Sequence, residues 1–274
     1  MITITGAAGN VGRPLVHALV AAGEQVTAVS RRPGTGAGPG PGVRHQQADL
    51  AEPESLKPAL DGAEALFLLV AGEEPGRILE IARASGVRRV VLLSSQGAGT
   101  RPGAYQHAAA FETAVRQSGL DATVLRPGGF DTNALAWAPL VRAQRTAAAP
   151  FGDVGLPAVD PADIAAAAAV VLRGRAHAGR TYELTGPAPV SPRQQAAAIG
   201  AALAEPVRFS ELTPAQARAR MLAFMPEPVA DATLAILGDP SPAEQRVSPD
   251  LAVLLGRPPG TFEDWAARSV AAFR

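Results

Sequence analysis

Residues 2–32, ITITGAAGNVGRPLVHALVAAGEQVTAVSRR, decide the fold. Residues 2–5 are a short β-prone run. Gly6, Gly9 and Gly12 follow at three-residue spacing, and Val11, Leu15, Val16, Leu19 and Val20 then recur at helical spacing. Residues 25–30 read as a second strand, closed by Arg31 and Arg32. A helix that starts behind such a turn offers unpaired N–H groups and the positive end of its dipole, and missing side chains let the backbone approach an anion closely. The pattern predicts a dinucleotide site in which Gly6, Gly9, Asn10, Val11 and Gly12 cradle the pyrophosphate, against the alternative of an ordinary tight turn.

Working outward, strand and helix signals keep alternating. The segment PGTGAGPGPG, residues 33–42, is a Gly/Pro loop expected to be mobile. Strands are expected at 43–48, 65–70, 89–93 and 122–125, with helices at 53–60, 76–85 and 104–118 between them. This rhythm predicts an α/β fold: a Rossmann-like, doubly wound parallel sheet with helices on both faces and strand order 3-2-1-4-5-6. Beyond about residue 130 the rhythm changes. Helices are expected at 160–172, from the Ser191-Pro192 and Thr213-Pro214 caps, and at 262–273, with short strands at 181–184 and 207–211. We read residues 1–150 as the dinucleotide-binding core and 151–274 as a smaller C-terminal α/β substrate lobe, partly interleaved with the core.

Bulk properties narrow the class. Apolar content of 47% with 18% charged residues argues for a packed globular chain rather than a disordered one. Twenty-five basic residues balance twenty-five acidic ones, which argues against an electrostatic nucleic-acid binder. Without cysteine there is no disulfide framework, thiol nucleophile or thiolate metal site, and the four histidines lack ligand spacing, so no metal is expected. The longest apolar run, residues 164–172, is too short for a bilayer, and the first strand begins at Ile2. A cytoplasmic protein without membrane or nucleic-acid partners is the expectation.

Cofactor choice is written at the end of the second strand. An NAD-selective site usually carries an acid there to accept from the ribose 2′-hydroxyl; this chain has Ser30, Arg31 and Arg32. A hydroxyl and guanidinium groups suit a 2′-phosphate, so NADPH is expected over NADH, with a solvated basic strand end as the alternative. Asp49 and Leu50 follow the third strand. Asp49 is a candidate acceptor for the adenine amino group, or simply a turn cap. Val70, at the end of the fourth strand, completes this side of the candidate site.

Several blocks together carry a family resemblance: TGAAGNVG, VSRRP, QADL, VVLLSS, ETAVRQSGLDATVLRPGGFDTN, DPADIAAAAAVVL, AGRTYELTGP and GRPPGTFEDWA. In this order they resemble the NmrA-like, NAD(P)-binding group of atypical short-chain dehydrogenases/reductases across nearly the whole chain. That group includes NAD(P)H-dependent reductases of quinones and other small molecules, and redox-sensing regulators that bind the nucleotide without turning it over. The resemblance implies that the backbone of residues 126–130, with Pro127 and Gly128, borders the nicotinamide, and Ser94 is a further candidate cofactor contact. Phe130, Asn133 and Trp137 follow as candidate pocket residues, although Trp137 also suits a core position and Arg126 a structural ion pair.

The wider superfamily works with a serine and a Tyr-x-x-x-Lys pair. Ser94 and Ser95 stand where the serine would be, and Tyr105 sits on the expected helix, but four residues on is Ala109. Lys57 is the sole lysine and lies in an early connection. Tyr105, Ser95 and His107 are therefore candidate catalytic residues without the usual relay. Quinone or conjugated-carbonyl reduction needs less from a positioned acid than ketone reduction does, because water can protonate the product. The expectation is an NADPH-dependent oxidoreductase acting on a small conjugated carbonyl or a quinone-like, aromatic compound. A non-catalytic NADP(H) sensor or regulator, and a cofactor-assisted isomerase or cyclase, are the alternatives.

Overall fold

The computed structural model describes residues 1–32 and 42–274. The chain runs β1 (Ile2–Ile4), α1 (Gly12–Ala21), β2 (Val26–Ser30), β3 (Val43–Gln47), α2 (Lys57–Leu60), β4 (Ala65–Leu69), α3 (Pro75–Ala84), β5 (Arg89–Leu93), α4 (Gln96–Thr100), α5 (Gln106–Gln117) and β6 (Asp121–Pro127). It continues through a 3-10 segment (Asp131–Trp137), α6 (Ala138–Gln144), β7 (Thr146–Ala149), α7 (Pro161–Arg173), β8 (Thr181–Leu184), α8 (Pro192–Leu203) and β9 (Arg208–Glu211). Four helices follow, α9 (Pro214–Met221), α10 (Glu227–Gly238), α11 (Pro242–Gln245) and α12 (Asp250–Leu255), before α13 (Phe262–Ser269). The expectation of a mobile Gly/Pro loop falls mainly on residues 33–41, outside the described residues.

The main sheet has seven strands in the order β3-β2-β1-β4-β5-β6-β8, and every pairing is parallel. The expected six-strand order is present, with β8 added beyond β6. Strand period two divides the core between two faces. Ala65 and Phe67 of β4 pack with α1, α7 and α12, whereas Leu66 and Leu68 pack with α2, α3 and α5. Val91 and Val90 of β5 divide the same way. β3 is the edge and is half exposed, which suits its sequence VRHQQ.

A third apolar cluster lies outside the sheet, where Phe262, Trp265 and Phe273 pack with Val141, Ala147 and Ile199. Parallel pairing of β7 with β9 belongs to this region. Two ion pairs tie the chain's end to α7: Arg268 to Asp160, the residue that caps α7, and Arg257 to Asp163 at 2.6 Å. The Gly260 N–H also donates to Asp163 at 2.7 Å.

Candidate functional site

The carboxyl ends of β1, β2, β4, β5 and β6 open on one edge of the sheet, and the candidate residues lie there. The glycine turn comes first. Gly6 has φ +64°, and a Cβ on it would drive into the Leu69 side chain. A Cβ on Gly12 would overlap the Gly6 carbonyl oxygen. The turn is thus closed by contacts that only glycine permits. Gly9 and Asn10 are exposed, Val11 caps α1 without a side-chain bond, and the first turn of α1 carries no acid. Among the described residues the N–H groups of Asn10, Val11 and Gly12 meet no acceptor. An open cradle of donors at a helix start fits a pyrophosphate.

β2 ends beside this turn, because the Ala7 N–H donates to the Val29 carbonyl. Ser30 donates its hydroxyl to the Arg32 carbonyl at 2.8 Å, and Gln47 donates to the Arg31 carbonyl at 3.2 Å. Arg31 and Arg32 are exposed. Asp49 accepts from the Ala51 N–H at 3.0 Å, so one carboxylate oxygen performs the turn-capping role and the other faces no donor among the described residues. Leu50 is buried, and Val70 is half-buried just past β4.

On the other side, Ser94 is committed elsewhere. Its hydroxyl donates to Glu112 at 2.7 Å, and Arg126 grips the same carboxylate at 2.8 and 2.6 Å, with Arg116 at 2.9 Å. Burial alone would raise the Glu112 carboxyl, but bonds from Arg126, Ser94 and Arg116 outweigh it and hold it below its usual range. Arg126 is therefore a structural ion pair. The Ser95 hydroxyl accepts from the Gly97 N–H at 3.2 Å and caps α4.

Tyr105 is not on a helix: it precedes α5 as its cap, its ring packs against Gly97, and its hydroxyl lies 3.5 Å from that of Thr233 on α10. The expected helix at 104–118 begins two residues late because residues 101–105 make a turn through the Arg101 carbonyl. His107 is exposed, with its ring edge-on to Phe111 and Nδ1 3.9 Å from Glu73. The Ser95 hydroxyl and the Tyr105 ring both meet Gly97, whereas His107 lies on the surface near Glu73.

Pro127 ends β6, and the N–H of Gly128 just after it donates to the Leu184 carbonyl. Phe130 packs on the main core and pairs with Val159. Asn133 is exposed, and Trp137 packs against the C-terminal cluster. Asn10 reaches across to Thr132 at 3.2 Å, which closes the two sides toward each other.

Sequence reasoning missed Asp131. It is 1% exposed, its Oδ1 has no partner, and its carboxyl is pushed up from 3.8 to about 7. Burial is the first cause, followed by the charges of Asp160 and Asp163. It also missed Gln96, which opens α4 between the ends of β5 and β6. Nothing in a single sequence marks burial of the one or the position of the other.

A sequence model of the NAD(P)H-binding family matches residues 6–174. The chain belongs to this family. The chain is 38% identical, over its whole length and 99% of the relative's, to (4-alkanoyl-5-oxo-2,5-dihydrofuran-3-yl)methyl phosphate reductase of Streptomyces griseus. It is 30% identical, over its whole length and 99% of the relative's, to an NAD(P)H azoreductase of Xenophilus azovorans. In three dimensions it resembles the NADPH complex of an Escherichia coli NADPH-dependent quinone oxidoreductase, with TM-score 0.80, 28% identity, and coverage of 98% of this chain and 99% of that one. The resemblance to the NmrA-like, atypical short-chain group holds in fold and in nucleotide class. Among the described residues no helix is long and apolar enough to cross a membrane.

Proposed function

We propose that this protein is an NADPH-dependent reductase of a small conjugated carbonyl or quinone-type acceptor. The observation that carries the reading is the glycine cradle at the start of α1, joined to a full-length match with a relative named for reducing an acyl dihydrofuranone phosphate. Arg31, and the absence of an acid at the end of β2, support NADPH over NADH. When bound, reduced nicotinamide supplies a hydride.

The chemistry suits the residues present. In the compound that names the Streptomyces relative, the ring C=C is conjugated to the lactone carbonyl and to the alkanoyl ketone. Addition at the carbon β to both leaves charge spread over two oxygens, a far weaker base than an alkoxide. Such a reaction proceeds without Tyr-x-x-x-Lys, which this chain lacks at Ala109. A simple ketone would need that acid. The glycine turn, Arg31 and Asp49 would hold the nucleotide; Val70 and the Pro127-Gly128 backbone would border its reactive end; and Phe130, Asn133 and Trp137 would contribute to the acceptor's side.

The test is NADPH consumption with a panel of acyl butenolides, quinones, an azo dye and a saturated ketone. Turnover with conjugated acceptors and none with the ketone is expected. NADPH binding without turnover on any acceptor would overturn the reading in favour of a nucleotide sensor.

A further inference from the structure

The strand ends present a problem of elimination. A dinucleotide whose pyrophosphate rests on α1 and whose adenosine lies toward β2 extends its other end toward β4, β5 and β6, by the strand order alone. Most of the polar side chains there have partners away from the Pro127-Gly128 backbone. Ser94 and Arg126 are bound to Glu112 and Arg101 to buried Glu244 at 2.8 Å, while the Ser95 oxygen accepts from the Gly97 N–H and keeps its own O–H. Tyr105 points toward Thr233 on α10 through a contact of 3.5 Å, no tighter than the one Gln96 makes, while His107 stands out on the surface and Asn133 lies exposed beyond Phe130.

Gln96 is different. It is the first residue of α4, directly after the Ser95 cap, and it is half-buried. Its side chain reaches from the end of β5 toward the backbone just past β6, with Oε1 3.7 Å from where a Cβ on Gly128 would stand. Among the described residues its Nε2 donates only a long bond, 3.4 Å, to the Ala243 carbonyl. The amide is therefore loosely held, with its oxygen toward the Gly128 backbone and its N–H toward Ala243, and a half-turn of the amide exchanges the two.

We propose that Gln96 is a catalytic residue whose side-chain N–H donates to the acceptor oxygen on which negative charge collects during reduction. The proposal rests on the reductase reading above. The acceptor's β-carbon gains the hydride and a new C–H bond. The C=C electron pair shifts through the α-carbon onto the carbonyl oxygen, and water then protonates the α-carbon. The acceptor is reduced by two electrons and the nicotinamide is oxidised by two. An amide suits this role because it stabilises an oxyanion without having to lose its own proton. The rate then carries no limb from an ionising acid between about pH 6 and 9.

The experiment compares the wild-type protein with Gln96→Met and Gln96→Glu. A 3-acyltetronate, a stable anion of a cyclic 1,3-dicarbonyl, serves as the probe and is titrated into the protein–NADP⁺ complex. Gln96→Met is expected to weaken the probe about tenfold and to lower kcat by about 10–100-fold with KM within about threefold, since one oxyanion donor is lost. NADPH affinity should be unchanged. Gln96→Glu, nearly isosteric, should lose more, because a carboxylate then faces the developing charge. Wild-type turnover with both variants matching it, in probe binding and in kcat, overturns the assignment alone. A wild type that consumes NADPH with no acceptor overturns the reductase reading and the assignment with it.

Discussion

Arg31 and Asp131 mark the two limits of what single residues reveal. Arg31 is legible from the sequence, because its place after β2 and the missing acid there already suggest a 2′-phosphate. Replacing it with Ala should weaken NADPH about tenfold or more and NADH less than about twofold, the size of one lost charge-assisted bond. Titration with both nucleotides checks this, and equal losses would remove the assignment. Asp131 is not legible: nothing in FDTN says that its carboxyl is buried beside Asp160 and Asp163, facing Arg268 and Glu263 of α13. Because its folded value is raised from 3.8 to about 7, the folded state keeps a proton that the unfolded chain has released. Its stabilising contribution is full below about pH 4 and drains away as pH rises through about 7. Asp131→Asn should therefore be more stable than the wild type by roughly 1–3 kcal/mol at pH 8 and differ little at pH 4. Urea unfolding at the two pH values measures it, and a pH-independent difference would contradict it.

At the scale of elements, the βαβ units were readable because period two and period 3.6 are strong signals in ALFLL, RVVLL and PLVHALVA. The Ser191 and Thr213 caps were readable as well, and both form capping boxes. What escaped has weak local propensity. The α4 segment QGAGT is glycine-rich, and β7 is TAAA, a poor strand former whose pairing with β9 comes from distant chain. Missing α4 also hid Gln96 and placed Tyr105 on a helix it only caps. The commitment of Ser94 escaped for a related reason, since its partner Glu112 lies on the next helix and carries no motif. The glycine turn makes the firmest prediction for an element. Gly12→Ala puts a methyl group into the Gly6 carbonyl, so the turn must open. It should cost roughly 1–3 kcal/mol of stability and at least about tenfold in NADPH affinity, read by thermal unfolding and nucleotide titration. Retained affinity would mean that the turn does not hold the pyrophosphate.

For the whole molecule, the strand order follows from parallel strands and right-handed crossovers, and it places the glycine turn in the middle of the ligand edge. The C-terminal part was less legible, because it is built from tethers between distant residues, such as Asp163 to Arg257 and Asp160 to Arg268. Its α10 and α11 reach Tyr105 and Arg101 near the strand ends, and it repeats no local pattern. Under the proposed function, hydride passes there from nicotinamide to the β-carbon of a conjugated acceptor. The most direct measurement supplies NADPH deuterated at the nicotinamide C4, in each of its two stereochemical forms, with an acyl butenolide, and locates the label by mass spectrometry and NMR. One form should deliver a single deuterium to the β-carbon, with the α-hydrogen coming from water. Deuterium retained on the nicotinamide in both forms, or delivered to a carbonyl carbon, would contradict the account.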